Sequence, residues 1–352
     1  YFGILESVNV VKGGEGFDVI NPPVVAINDA VGSGATATAA VRGSLQEIRI
    51  LDSGFDYVEE PIIKITGGNG TGANAAAKLN NVPHELIING DGVGLGTVKL
   101  DAAGINTSSI GFTTYHRFRP GERVVYDPLG SIPIVGLATQ ATYYVSSVSE
   151  YTVQLHKNYD EAIAGVNAIS FTDFGSGVQS FKSLNGKAIV SSIVILEEGS
   201  GYENKERSCG TTGISTSLSV INIKNHDYKT GEIVKYSVNG TAIDGLSTDK
   251  EYYVSVINED QFKLAAVGVG TTVSDFYFKT NQFNELRNVG VGTHTFNYPP
   301  VSVEVIGRVG VSSISGNTFE ASVQPIFRGE ITSLQLTNTG VSYGSSEILN
   351  FN

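Results

Sequence analysis

The sequence predicts an all-β protein. The expected architecture is an elongated chain of short repeated β-hairpin or solenoid-like modules with two inserted small β-barrel or β-sandwich domains. Three observations carry this. Val, Ile, Thr, Tyr and Phe recur in short runs between Gly, Asn, Asp and Ser, the composition of strands punctuated by turns. The 42 glycines and the lack of any helical period beyond about two turns argue against helices. Two kinds of unit also recur along the 352 residues, and internal repeats decide architecture before any motif does.

The short unit comes first. Residues 8–45 and 48–79 share one plan: a strand, a Gly-aromatic turn, a proline-entered strand, a Gly-rich turn and an Ala/Thr-alternating strand. The alignment matches Gly16 with Gly54, Phe17 with Phe55, Asp18 with Asp56, Pro23 with Pro61, and Ile27 with Ile65. In each, glycine is expected to make the turn, the aromatic to fill the core and the aspartate to cap the loop. A third copy holds Gly201-Tyr202, and a fourth, "TGVSYG", stands near residue 342. "TGGNGTGANAAAKL" alone could be taken for a phosphate loop. Its counterpart "GSGATATAAV" alternates with period two, and the P-loop Lys-Ser/Thr is missing, so both read as strands.

The long unit follows, at residues 116–155 and 226–264. His116 matches His226, Gly121-Glu122 matches Gly231-Glu232, and Tyr126 matches Tyr236. Tyr143-Tyr144-Val145 likewise matches Tyr252-Tyr253-Val254. Both copies close on a Gly-x-Gly strand, "GSGVQSF" and "GVGTHTF". Alternating strands with turns every eight to twelve residues predict a small barrel or sandwich.

Spacing then gives the organisation. After Tyr202 the proline-led strand is delayed until "YPPVSVEV", directly after the second long unit. "FRGEITSLQL" further on matches "VRGSLQEIRI", with Arg328-Gly329 on Arg42-Gly43. The long units therefore read as insertions at turns, where a host core is least disturbed. The expected boundaries are two short modules over 1–80, a connector over 81–109 and the first inserted domain over 110–182. A half module over 183–213, the second inserted domain over 214–298 and a continuation over 299–352 complete the chain.

Composition excludes several roles. A net charge of −12 and a pI near 4.9, with 23 scattered basic residues, disfavour nucleic acid. No apolar run is long enough to span a bilayer, and no signal peptide is evident. One cysteine, Cys209, rules out an internal disulfide framework. The sequence has no methionine, so it reads as a segment of a longer chain.

The stretches "GSGYENKERS", "NHDYKTGEIVKY", "EYYVSVINEDQFKL", "GVGTHTFNYPP" and "QPIFRGEITSLQL" resemble the large modular virion structural proteins of contractile-tailed marine cyanophages. Similar long units occur in bacterial surface adhesins. The resemblance covers the chain from about residue 4 onward. It implies a non-enzymatic virion component of a tail fibre or baseplate, working in tail assembly and host attachment. Its implied partners are other tail or baseplate proteins and further copies of itself, a trimer among the options, with a host-surface glycan as a further ligand. A surface adhesin or carbohydrate-binding repeat protein is the alternative reading. A depolymerase with its active site between subunits is a third, which the carboxylate spacing does not recommend.

No catalytic, metal or cofactor residues are carried over. "GVSYG" fits a nucleophile elbow, but Ser342 aligns with the turn glycines Gly16, Gly54 and Gly201. His84, His116, His156, His226 and His294 show no metal-ligand spacing. His116 and His226, repeated at one module position, are expected to fix the fold, through Glu122 and Glu232. Asp18, Asp52 and Asp56 suit Asx-turns better than Ca²⁺, for the EF-hand spacing is absent. Glu59-Glu60 and Glu197-Glu198 point to opposite faces of an extended chain and read as edge charges. Of the pairs Tyr143-Tyr144 and Tyr252-Tyr253, one ring each should face inward and the other outward, either as a contact for sugar or protein or as cover for the barrel's second face.

Overall fold

A computed structural model describes residues 3–27, 29, 31–89, 96–99, 108–173, 175–267, 283–309 and 320–343. Within them lie four antiparallel sheets and one short α-helix, Tyr159–Ala164. The final residues "SSEILNFN" and Gly344 of "GVSYG" are outside the described set.

Two of the sheets form a framework. At its centre Ser33–Asp52 and Ser322–Val341, each of 20 residues, pair along their whole length. Strands so long must absorb twist, and four register shifts along the ribbon do so. Phe17–Asp18 borders one side and Tyr202–Glu203 the other, and Val24–Ala26 also pairs with Ser33–Asp52. Gly43 lies opposite Gly329, and a Cβ on either would stand 1.9 Å from the facing arginine's carbonyl oxygen. Close backbone approach thus explains why both Arg-Gly dipeptides keep glycine. The second framework sheet runs Lys187–Ser200, Thr71–Val82, Ile62–Thr66, Ser302–Ile306. Val41, Leu45, Tyr57, Val190, Tyr202, Phe327 and Ile331 fill one core between the two sheets.

The other two sheets have seven strands each and share one strand order. The first runs Glu85–Asn89, Val178–Ser183, Arg123–Asp127, Thr142–Ser149, Thr152–His156, Ser109–Phe112, Gly96–Lys99. The second runs Glu206–Cys209, Val291–Asn297, Ile233–Thr241, Glu251–Asn258, Gln261–Ala266, Val220–Asn222, Ile214–Ser215. Each packs its own core, around Tyr126 and Phe181 in one and Tyr236 and Phe296 in the other. Neither sheet closes into a barrel, since the strands at the two ends of each order are not paired.

Both sheets reach outside the expected boundaries. Glu85–Asn89 and Gly96–Lys99 fall in the stretch read as connector, and Glu206–Cys209 in the stretch read as short module. "ELIIN" and "ERSC" are unlike in sequence, so a comparison of copies begins only at the repeated histidine. The entry and exit strands of each sheet pair, with Glu85 opposite Lys182 and Glu206 opposite Asn297.

The Gly-aromatic turns need one correction. Gly14, Gly54, Gly199 and Gly340 have φ of 70, 61, 66 and 60°. Two residues on, Gly16, Asp56, Gly201 and Ser342 have φ of 77, 67, 76 and 65°. The aromatic follows at once, as Phe17, Tyr57, Tyr202 and Tyr343. Gly54 therefore matches Gly14, not Gly16, and Tyr57, not Phe55, is the core aromatic, being 3% exposed. The string Gly-Phe-Asp occurs in both copies two residues out of phase, which misled the alignment. Phe55 is half-buried, edge-on to His84 and beneath the Arg117 guanidinium. Ser342 matches Gly16, Asp56 and Gly201, a turn position that strains any residue but glycine.

Candidate functional site

Three of the turn tyrosines end in the same contact. Tyr202 Oη accepts from the backbone N–H of Ala73, and Tyr343 Oη from Ala35 at 3.2 Å. Tyr57 Oη accepts from Ala321 N–H. In the first two, the alanine ends a Gly-x-Gly-Ala run. A Cβ on Gly70 would meet the Tyr202 ring at 2.3 Å, and one on Gly32 the Tyr343 ring at 2.4 Å. The first glycine of each run leaves room for the ring, and burial raises the Tyr57 and Tyr202 hydroxyls above their ordinary pKa. Phe17 holds the fourth position without a hydroxyl.

Buried ionic clusters join each seven-stranded sheet to the framework. At the first, Lys187 Nζ, 2% exposed, lies 2.6 Å from Glu122 Oε2 and 3.3 Å from Asp56 Oδ1. Arg119 reaches the same aspartate, with Nε 2.6 Å from Oδ2 and Nη2 2.9 Å from its carbonyl oxygen. Asp56, expected to be a loop cap, is thus an ion-pair residue drawn into the joint. At the second, Lys205 Nζ is fully buried between Asp227 at 3.2 Å and Glu203 at 3.5 Å, over the rings of Tyr228 and Tyr298. Glu203 also takes Arg42 at 2.9 Å, and Tyr298 donates to Glu232. Burial, first, and the Glu232 charge push the Tyr298 hydroxyl far above its usual range. Asn69 of the framework adds two bonds to the Ile233 backbone, at 2.8 and 2.9 Å. Charges this deep are tolerated because each is paired.

His116 and His226 make the same bonds in the two sheets. Nδ1 accepts from the N–H two residues on, Phe118 at 3.0 Å and Tyr228 at 2.9 Å. Nε2 donates to a hairpin carbonyl, Ser149 at 2.8 Å and Asn258 at 3.0 Å. The repeated glutamate is therefore not the partner expected. Glu122 and Glu232 instead accept from Arg119 and Lys229 N–H across the turns at Gly121 and Gly231, at 2.7 and 2.8 Å. Burial lowers the pKa of both imidazoles and of His84, whose Nε2 bonds the His116 carbonyl. A neutral ring that donates from one nitrogen and accepts at the other is a structural clamp.

Of the paired tyrosines, Tyr143 is buried and Tyr144 half-buried, as alternation predicts. Tyr252 and Tyr253 are both buried, so the second pair offers no free ring. Tyr253 lies opposite Ile233, the residue that Asn69 holds against the framework. Tyr144 stands edge-on to Tyr159 in a groove of about 640 Å³ beside Arg119, Arg123 and Asn185.

The remaining candidates are local. Asp18 accepts from Ile20 and Asn21 N–H and Asp52 from Gly54 N–H, the Asx-turns expected. Glu59 and Glu60 lie exposed, 3.8 Å from Arg308 and Lys78. Glu197 and Glu198 are exposed as well. Burial pushes the Cys209 thiol up to about 12, leaving little thiolate at neutral pH. Among the described residues no group of three His, Cys, Asp or Glu is placed to hold a metal ion, and no helix is long and apolar enough to cross a membrane. No known family, curated protein or solved structure matches the chain.

Proposed function

We propose that the chain is a non-enzymatic structural component of a phage virion, part of a tail fibre or baseplate, with the short modules as its repeating stalk. The observation that carries this reading is the construction of the two joints. Lys187, Asp56, Lys205 and Glu203 are buried charges spent on fixing a sheet to a framework, which suits a rigid part built to hold position. The resemblance of the Gly-Tyr and His-Gly-Glu units to cyanophage virion proteins supports a place in the tail, with copies of the chain and other tail proteins as the proposed partners. The test is mass spectrometry and immunogold labelling of purified particles. Recovery at stoichiometric abundance with label on the tail is expected; a chain found only in the infected-cell lysate sinks the reading.

An adhesin or carbohydrate-binding role is the second reading. The groove beside Tyr144 and Tyr159 favours it, since aromatic faces with arginine and asparagine at their edges suit a sugar ring. Binding of the protein to a glycan array, lost in Tyr144→Ala, would support it.

A further inference from the structure

Two stretches of framework backbone run side by side at the first joint. Tyr57 N–H donates to Ala188 O at 3.1 Å, and Val190 N–H to Ser53 O at 2.9 Å. This sets Asp56 against Lys187, although residues 57–186 lie between them in the chain. Both side chains are shut away from water, at 1 and 2% exposure, with Lys187 Nζ 3.3 Å from Asp56 Oδ1. Glu122 Oε2 stands 2.6 Å from the same nitrogen. The other oxygen of that carboxylate, Oε1, is buried without a hydrogen-bond partner among the described residues. Asp56 itself sits at φ 67°, a left-handed conformation held by glycine at Gly16 and Gly201 in two sister turns. A strained aspartate, a buried lysine in contact with it and a second carboxylate with a spare oxygen form an arrangement suited to reaction as well as to pairing.

We propose that Lys187 and Asp56 condense to an amide, a cross-link between Nζ and Cγ that the protein makes by itself. One ammonium proton passes to Asp56 Oδ1, which leaves a neutral amine facing a neutral carboxyl group. Nζ then attacks Cγ, and the oxyanion that develops on Oδ2 is met by Arg119 Nε, 2.6 Å away. Glu122 takes a second proton from the nitrogen across the 2.6 Å contact and hands it to Oδ1. The Cγ–Oδ1 bond breaks and one water leaves. Ammonium and carboxylate have become amide and water, Glu122 is regenerated, and nothing is oxidised or reduced. Arg119 Nη2 keeps its bond to the Asp56 carbonyl oxygen at 2.9 Å, so the turn holds its place as Oδ1 departs. The groove of about 640 Å³ lined by Asp56, Glu122 and Lys187 gives the water its way out.

The link closes a loop over residues 57–186, the first seven-stranded sheet included, and clamps the framework where that sheet branches off. The ion pair is its precursor, and the cost of breaking that pair is a property of the unlinked protein. The second joint stays ionic. Lys205 there faces Asp227, which is 49% exposed and open to water, and Glu203 only two residues away in the chain.

The test is intact-mass spectrometry of the purified 352-residue protein under denaturing conditions, followed by tandem sequencing of its tryptic peptides. The expected mass lies below the sequence mass by one water, with a branched peptide joining Asp56 to Lys187 and no cleavage after Lys187. Lys187→Arg keeps the positive charge, cannot form the amide and should show its full sequence mass. Glu122→Gln keeps both joined residues, and most of it should remain unlinked when purified. A cooperative melt checks that each variant is folded, and the wild-type mass decides even where a variant is not. The full sequence mass in the wild-type protein overturns the proposal. A branch at Glu122, a water lost elsewhere, as at Asp244-Gly245, or undiminished linkage in folded Glu122→Gln overturns it equally. The link needs no partner and no particular place in a particle.

Discussion

A backbone N–H bonded to a tyrosine hydroxyl loses that acceptor in a Tyr→Phe change that leaves the packing alone. Tyr202→Phe should therefore cost about 1–3 kcal/mol in urea denaturation, while phenylalanine at the corresponding position 17 is native. A cost near zero would mean that Ala73 N–H finds another acceptor. The buried histidines give a pH dependence. Burial holds His84, His116 and His226 below the ordinary histidine value of about 6.5. On acidification the unfolded chain takes up these protons first, so stability falls as pH drops below about 6.5 and levels once the folded-state values are passed. Denaturation midpoints between pH 7.5 and 5.5 should fall accordingly, and less steeply in a His116→Gln, His226→Gln double variant; identical slopes would refute the assignment. His116 and His226 stood out because each recurs at a fixed place in its unit; His84, which has no counterpart, did not. The partners of the repeated pair were not legible, since a hydrogen bond to a hairpin carbonyl leaves no side-chain pattern. The phase slip at Gly54 has the same origin: the matched string hid the backbone conformation, which lies in paired positive φ angles.

The joints belong to the scale of elements, and they were invisible in the sequence. Asp56, Arg119, Glu122 and Lys187 are dispersed over the chain, and only the docking of a seven-stranded sheet on the framework brings them together. Lys187→Met should destabilise by about 3 kcal/mol, the low end for a broken buried pair, because Arg119 still neutralises Asp56. Adding Glu122→Gln should recover part of that loss, and calorimetry of both variants checks it. Strand character itself was readable. "GSGATATAAV" and "TGGNGTGANAAAKL" both form strands, as their period-two pattern required, and no phosphate loop opens a helix there. The flanking strands Glu85–Asn89 and Glu206–Cys209 escaped because they are short and unlike each other, and their pairing partners lie on the far side of the inserted unit.

At the scale of the molecule, the all-β character was legible in the sequence, and the sheet built by its two longest strands was not. Nothing in the repeats announced that Ser33–Asp52 would run its whole length against Ser322–Val341, because pairing across such a separation is decided by the packed core and not by local pattern. The adjacency of Glu206 and Asn297 yields one more expectation. Replacing residues 206–297 by an Asn-Gly turn spans a gap of about 5 Å and should leave a framework that still melts cooperatively. Loss of the cooperative transition would show that the second sheet is required for the framework to fold.

The long ribbon also dictates an order of events during synthesis. Each seven-stranded sheet is made from one stretch of chain and can form soon after it leaves the ribosome, whereas Ser33–Asp52 must wait for a partner near the other end. At about 5–20 residues per second that delay is on the order of tens of seconds. For that interval a 20-residue strand stands open to wrong partners. Arg42, Glu47 and Arg49, charges set within it and partly exposed even in the finished fold, disfavour pairing with a wrong strand over that interval, as charges flanking apolar strand positions do.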